Sequence, residues 1–201
     1  MERTEDLRKL KLDLAMVARD VYRRGLQTGN GGNLSARLPG TEIMIIKASG
    51  CSFAECDENS WIVCDLDGNV LEGNGSPSSE YPVHAAIYKK SPRVNCNVHV
   101  HDPFMIAIAE LYDDSVPMYA HHVSMKLGSR IPILDIETPG ITQADMWRVE
   151  ALFDEMPTLG GFLHKKHGGF ALGSSCAKGL YNAELINEAC RTAFYMYLAQ
   201  K

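Results

Sequence analysis

The sequence predicts an α/β fold: a sheet with helices on both faces, containing too many hairpins to be purely parallel. Two observations carry this. Helix-period and strand-period segments interleave along all 201 residues, with no low-complexity linker and no internal repeat. Two pairs of strand-like runs are also joined by turns too short for a parallel crossover. The length and unbroken patterning read as one domain spanning residues 1–201.

The first element is a helix. Leu7, Leu10, Leu14, Val17, Ala18 and Val21 recur at helical spacing, and Gly25 is placed to end it. A Gly- and Asn-rich loop, TGNGGNLS, follows. EIMIIKA and SWIVCDL then read as strands, and Asp67-Gly68 turns the second back into NVLEG. GNGSPSSEYPVHAAIYKK reads as a loop opening into a helix, with Ser78 or Ser79 as cap and Pro82 in its first turn.

RVNCNVHVH is a strand. Val94, Cys96, Val98 and Val100 face one side; Asn95, Asn97, His99 and His101 face the other. Asp102-Pro103 starts another helix. SRIPILDI reads as a strand that Pro132 confines to an edge or bend. Thr142 with Asp145 resembles a capping box before a helix through Met146, Val149, Leu152 and Phe153. GGFLHKKHGGFALG is strand, turn, strand, and a long helix from Ala177 to about Ala199 closes the chain.

Composition narrows the function classes. A 45% hydrophobic and 22% charged chain is that of a soluble globular protein. The formal net charge of -5 and the absence of a basic stripe argue against nucleic acid. A locally positive site for a phosphorylated small molecule remains compatible with that charge. No apolar run is long enough to span a bilayer, and MERTEDLRKL lacks the apolar core of a signal peptide. The six cysteines, Cys51, Cys56, Cys64, Cys96, Cys176 and Cys190, show no C-x-x-C spacing. They read as free, mostly buried thiols of a cytoplasmic protein.

His99 and His101 lie two apart on a strand, so both imidazoles project into one space. Such a pair is informative only with a third ligand and an acid. His167, directly before Gly168-Gly169, is one candidate; His164 competes, and His121 and His122 are further ones. Glu80 at a helix start is either a first-turn carboxylate favoured by the helix dipole or a general acid/base beside a metal. Three short segments suit an anion: Asn30 to Asn33, Ser49-Gly50 and Ser78-Ser79, each of which alone is an ordinary turn or cap. Walker A, Rossmann, G-x-S-x-G and H-E-x-x-H patterns are absent. Lys47 and Lys126 are available for a Schiff base, with nothing to single out either.

Taken together the segments resemble the class II aldolase/adducin family over nearly the whole chain. The matching pieces come in family order: GNLS, KASG, DLDGNVLEG, PSSEYPVHAAIY, SPRVNCNVHVHDP and KHGGFALG. The resemblance implies a three-layer α/β/α sandwich around a largely antiparallel, mixed sheet. It implies His99, His101 and His167 as metal ligands, which selects His167 over His164. It implies Glu80 as the acid that binds the resting metal or acts as acid/base. Asn33, Ser49, Gly50, Ser78 and Ser79 match phosphate-binding positions of the L-fuculose-1-phosphate aldolase branch, and Asn30 stands where that branch often has threonine.

The implied cofactor is one Zn2+ per subunit, with Mn2+ or Co2+ also suited to the donor set. The implied assembly is a homotetramer with sites between subunits. The implied reaction is cleavage of a ketose 1-phosphate to dihydroxyacetone phosphate and an aldehyde through an enediolate that the metal stabilises as a Lewis acid. The sequence departs from the branch where a proton-transfer tyrosine is expected. In SVPMYAHHVSMKLG that place falls near His121, with Tyr119 beside it. Decarboxylation of a 3-oxo sugar-acid phosphate is the main alternative. Pentulose-phosphate epimerisation (that branch usually has aspartate at the Glu80 position), thio-sugar-phosphate dehydration and a non-catalytic adducin-like scaffold rank lower.

Overall fold

The computed structural model describes residues 2–201. Six helices and nine strands alternate along them: α1 (Glu2–Arg23), β1 (Asn33–Arg37), β2 (Ile43–Lys47), β3 (Trp61–Asp65), β4 (Val70–Glu72), α2 (Tyr81–Lys90), β5 (Cys96–Val100), α3 (Pro103–Leu111), β6 (Ser115–Val116), α4 (His121–Leu127), β7 (Ile131–Leu134), α5 (Met146–Glu155), β8 (Gly161–His164), β9 (Gly168–Gly173) and α6 (Cys176–Ala199). The strands form one sheet in the order β4-β3-β2-β1-β5-β9-β8-β7-β6. Every pairing is antiparallel except β7 with β8. The expected three-layer sandwich around a mixed, largely antiparallel sheet is what the chain forms.

Two apolar cores make the layers. On one face α1, α3, α4 and α6 cover Leu34, Ile45, Val63, Val98, Val100 and Ala171. On the other, α2 and α5 cover Met44, Ile46, Ile62, Phe162, Phe170 and Leu172. Alternate residues of one strand serve opposite cores, so a sheet buried on both sides reads as near-continuous apolar runs. Each fully buried Leu, Ile or Phe contributes roughly 1.5–3 kcal/mol of transfer free energy.

The predicted ends of α1, α3 and the β3–β4 hairpin are confirmed in detail. Gly25 adopts φ 73°. Its N–H donates to the Tyr22 carbonyl and that of Leu26 to Val21, the paired bonds of a Schellman cap. Asp102 accepts from the N–H groups of Phe104 and Met105. Asp65 closes the β3–β4 turn by accepting from the backbone of Asp67 and Asn69.

Four expectations need correction. The end of the run placed in a loop, from Asn33 to Ser35, is the start of strand β1, which was obscured because Asn33, Ser35 and Arg37 are polar yet buried. Glu80, not Ser78 or Ser79, is the N-cap of α2, and its side chain makes no cap bond because it is engaged elsewhere. Thr142 bonds Asp145 through side chains (2.6 Å), but α5 begins only at Met146. The sequence also gave no reading of β6 or α4. The two-residue β6 lies outside β7, so Pro132 sits one strand in from the edge, opposite Ser115.

Polar β1 is stabilised by α2. Arg37 is 8% exposed and has no carboxylate partner among the described residues. Its guanidinium donates instead to the carbonyls of Tyr88, Ser91, Pro92 and Val94 and to Asn95 Oδ1. These acceptors gather at the C-terminal end of α2, where a cation also complements the helix dipole. Burial lowers the Arg37 pKa from its ordinary value, with the nearby Tyr88 opposing. Replacing Arg37 with Met leaves those carbonyls unsatisfied, and we expect a loss of about 3 kcal/mol in a urea titration. An unchanged midpoint would show that water replaces the guanidinium at no cost.

Candidate metal centre

The functional site forms where β5 ends, β9 begins and α2 starts. Imidazole nitrogens of His99, His101 and His167 and a carboxylate oxygen of Glu80 all lie within 4.8 Å of one another. His101 Nε2 is 3.1 Å from the Nε2 atoms of both His99 and His167. Glu80 Oε2 is 3.2 Å from His99 Nε2, and Oε1 is 3.5 Å from His167 Nε2. His99 is fully buried, stacked on Phe170 at 4.1 Å between ring centroids.

The backbone brings them there. The register sets His99 opposite Phe170 on β9 and Asn33 on β1. Gly168, at φ 153°, lets β9 close on β5: a Cβ there would stand 2.1 Å from the Val100 carbonyl oxygen. Gly32, at φ 64°, approaches from the other side, where a Cβ would lie 2.7 Å from the His99 carbonyl oxygen. The His101 N–H donates to Gln27 Oε1 at 2.7 Å.

Tautomers decide what this cluster fits. His99 Nδ1 lies 3.0 Å from the Gly169 carbonyl, and His167 Nδ1 bonds the Pro139 carbonyl. A carbonyl only accepts, so both Nδ1 atoms carry the proton and both Nε2 atoms present lone pairs. Burial pushes His101 down to about 4, with His99 and His167 adding to the shift, and burial likewise lowers His167. Burial raises the Glu80 carboxyl, but His99, His167 and His84, when they carry a proton, outweigh it and lower the group. Glu80 Oε1 and Asn33 Oδ1 are buried without a hydrogen-bond partner. The centre is therefore a set of lone pairs and one negative charge facing inward. Such a set fits a divalent cation, with His99, His101, His167 and Glu80 as the holding groups.

His164 is not part of it. Its ring stacks on His167 at 5.0 Å, its Nε2 lies 3.2 Å from the Ile136 carbonyl, and burial lowers its pKa. His121 is exposed at the start of α4, on the other face of the sheet, and is not in the cluster. Tyr119 is exposed nearby, and His122 pairs with Glu188 at 2.8 Å.

The candidate anion-binding segments do meet. Residues 48 and 77 bridge, Ser49 N–H donates to the Ser76 carbonyl at 2.9 Å, and Ser78 N–H donates to Lys47 at 3.1 Å. This lays Ser49-Gly50 beside Ser78-Ser79. Ser49 and Ser79 are exposed, whereas Ser78 is buried and its Oγ lies 3.4 Å from the Glu80 N–H. Asn33 Nδ2 donates to Glu80 Oε2 at 2.6 Å. Asn30 joins through Lys47, whose ammonium donates to its carbonyl at 3.3 Å and to that of Cys51.

Lys47 is the residue the sequence did not single out. It is 2% exposed, and its ammonium is held by the backbone carbonyls of Asn30 and Cys51. Burial lowers its pKa, with Cys56 and Cys51 opposing. Its signal was a lysine ending the apolar run IMIIK, where a buried cation lacks a sequence-local reason.

The family comparison agrees with this geometry. Residues 12–194 match the Class II Aldolase and Adducin N-terminal domain. The chain belongs to that family. It is 28% identical to the 3-oxo-tetronate 4-phosphate decarboxylase of Haemophilus influenzae over 185 residues, 90% of this chain and 85% of the relative. It is 28% identical to the 5-deoxy-D-ribulose 1-phosphate aldolase of Bacillus thuringiensis, covering 94% of this chain and 85% of that one. The crystal structure of YgbL from Klebsiella pneumoniae, described with aldolase, epimerase and decarboxylase as candidate activities, superposes with a TM-score of 0.83 at 25% identity. That match covers 94% of this chain and 90% of YgbL. No helix among the described residues is long and apolar enough to cross a membrane.

The purified protein should carry one divalent ion per chain by elemental analysis. His101→Ala and His167→Ala should each weaken its retention at least tenfold, while His164→Ala changes it less than threefold. Equal losses in all three variants would contradict the ligand set.

Proposed function

We propose that this protein is a metal-dependent lyase that cleaves a ketose 1-phosphate of the L-fuculose 1-phosphate type into dihydroxyacetone phosphate and an aldehyde. The observation that carries this reading is adjacency: Glu80 joins the cluster of three imidazoles and lies two residues after Ser78, whose segment is hydrogen-bonded to that of Lys47 and Ser49. A divalent ion such as Zn2+, bound there, supplies Lewis acidity to the ketone and lowers the cost of negative charge on the substrate's C3 side.

The protein's own groups do the rest. Ser49, Gly50, Ser78, Ser79, Asn30 and Asn33 surround the phosphate, and the Lys47 ammonium offsets its charge. Binding energy gathered there orients the reacting carbons without touching them. Glu80 exchanges the proton at C3. Held ionised by its neighbours, it serves directly as base in the condensation direction, taking that proton from dihydroxyacetone phosphate. In cleavage, a base takes the proton from O4, the C3–C4 bond breaks, and C3 takes a proton that Glu80 relays from solvent water, the carboxylate ending as it began.

We assign the O4 base to His121. In its own chain His121 lies across the sheet from the cluster, so this role requires a homotetrameric ring in which a neighbour supplies it. That same placement favours one second reading. Decarboxylation of a 3-oxo sugar-acid phosphate loses CO2 with no hydroxyl to deprotonate, so the single proton required comes from water by way of Glu80, and no second base is needed.

The test is dihydroxyacetone phosphate release from L-fuculose 1-phosphate and a panel of ketose 1-phosphates, with and without chelator. We expect chelator-sensitive release, a Lys47→Met variant with KM raised at least tenfold and kcat changed less, and a Glu80→Gln variant that binds substrate but turns over at least a hundredfold more slowly. No release from metal-loaded protein, with CO2 evolved from a 3-oxo acid phosphate, would transfer the assignment to the decarboxylase.

A further inference from the structure

The interface between α2 and β1 is a polar ladder that ends at Glu80. Three residues of α2 spaced four apart, Glu80, His84 and Tyr88, face three residues of β1 spaced two apart, Asn33, Ser35 and Arg37. The periods match: four helical residues rise about 6 Å and two strand residues about 6.7 Å. Each rung is bonded. Asn33 Nδ2 donates to Glu80 Oε2 at 2.6 Å. Ser35 Oγ lies 2.6 Å from both His84 Nδ1 and the Tyr88 hydroxyl. Arg37 donates to the Tyr88 carbonyl at 2.7 Å, with its guanidinium 5.5 Å from the centre of the Tyr88 ring.

This ladder costs more than an apolar seam would. Ser35 and His84 are fully buried and Tyr88 is 1% exposed. Burial pushes His84 down to about 3, so the imidazole is neutral, and its Nε2 has no partner. The rest of α2 packs through Val83, Ala85 and Ile87 in the ordinary apolar manner. Buried polar groups are expensive unless fully paired, and directional bonds fix a position where apolar contacts tolerate sliding. Here the position fixed is that of the first α2 residues. Rotation of the helix by one residue, about 100°, would swing the Glu80 carboxylate away from His99 and His167.

We propose that Ser35 and His84 are positioning residues that hold Glu80 at the imidazole cluster by pinning α2 to β1. The proposal rests on reading Glu80 as a metal-holding group. Neither residue touches metal or substrate; both act through the helix.

A double-mutant cycle tests it, reading the Zn2+ dissociation constant by chelator competition and the urea midpoint in parallel. In the otherwise native protein, Ser35→Ala should raise the constant about tenfold, and Ser35→Thr should stay within threefold of native. In a Glu80→Gln background, where no carboxylate remains to be placed, Ser35→Ala should change it less than twofold. Tyr88→Phe, which removes one rung without a cavity, should repeat the pattern if Ser35→Ala fails to fold. Equal weakening in both backgrounds, or a lowered midpoint with unchanged Zn2+ affinity, would overturn the ladder alone. A Glu80→Gln protein with native Zn2+ affinity would instead overturn the metal-holding role of Glu80, and the proposal with it.

Discussion

The pairing of β5 between β1 and β9 is the constraint on which the rest of the structure depends. It sets Val98 and Val100 into the core beneath α6 and turns His99 toward α2. A slip of one residue would exchange those faces, burying an imidazole among aliphatic side chains and exposing valines to the site. The register is held by backbone contacts that admit no side chain. Gly168 and Gly32 close on the carbonyls of Val100 and His99, so the strand carrying His99 is gripped from both edges.

That grip also sets the chemistry. The Gly169 carbonyl that accepts from His99 Nδ1 belongs to the strand paired with β5, so register and tautomer are one decision. Pro139 does the same for His167 from the loop before α5. Nε2 lone pairs suited to a metal are thereby set by backbone geometry, at residues that give no sign of it in sequence. Glu80 enters from a third direction, on the N-terminus of a helix whose polar face is matched to β1.

Buried polarity recurs through this half of the molecule. Asn33, Ser35, Arg37, Lys47, Ser78, His84 and His99 are all buried or nearly so. Each costs desolvation, and most recover it through carbonyls or side chains close by. The apolar half, from α5 to β8, shows no comparable concentration. Stability and function are thus separated along the sheet: the cores supply burial, and the β1–α2–β5 region uses part of that stability to hold charged and polar groups in place.

Much of this was legible in the chain itself. Apolar periodicity gave α1, apolar runs gave β2 and β3, alternation gave β5, and Asp102-Pro103 marked the start of α3. The spacing of His99 and His101 showed two imidazoles on one face. Family resemblance, carried by ordered motifs, separated His167 from His164. Strand β1 escaped because its buried residues are polar, α4 because its apolar positions are too few to show a period, and Lys47 because its partners are carbonyls from distant loops. Sequence alone determined which residue types were available and which faces they shared. Only the tertiary structure decided which lone pairs meet, because tautomer, burial and counter-charge are set by neighbours 47 to 87 residues away rather than by the chain on either side.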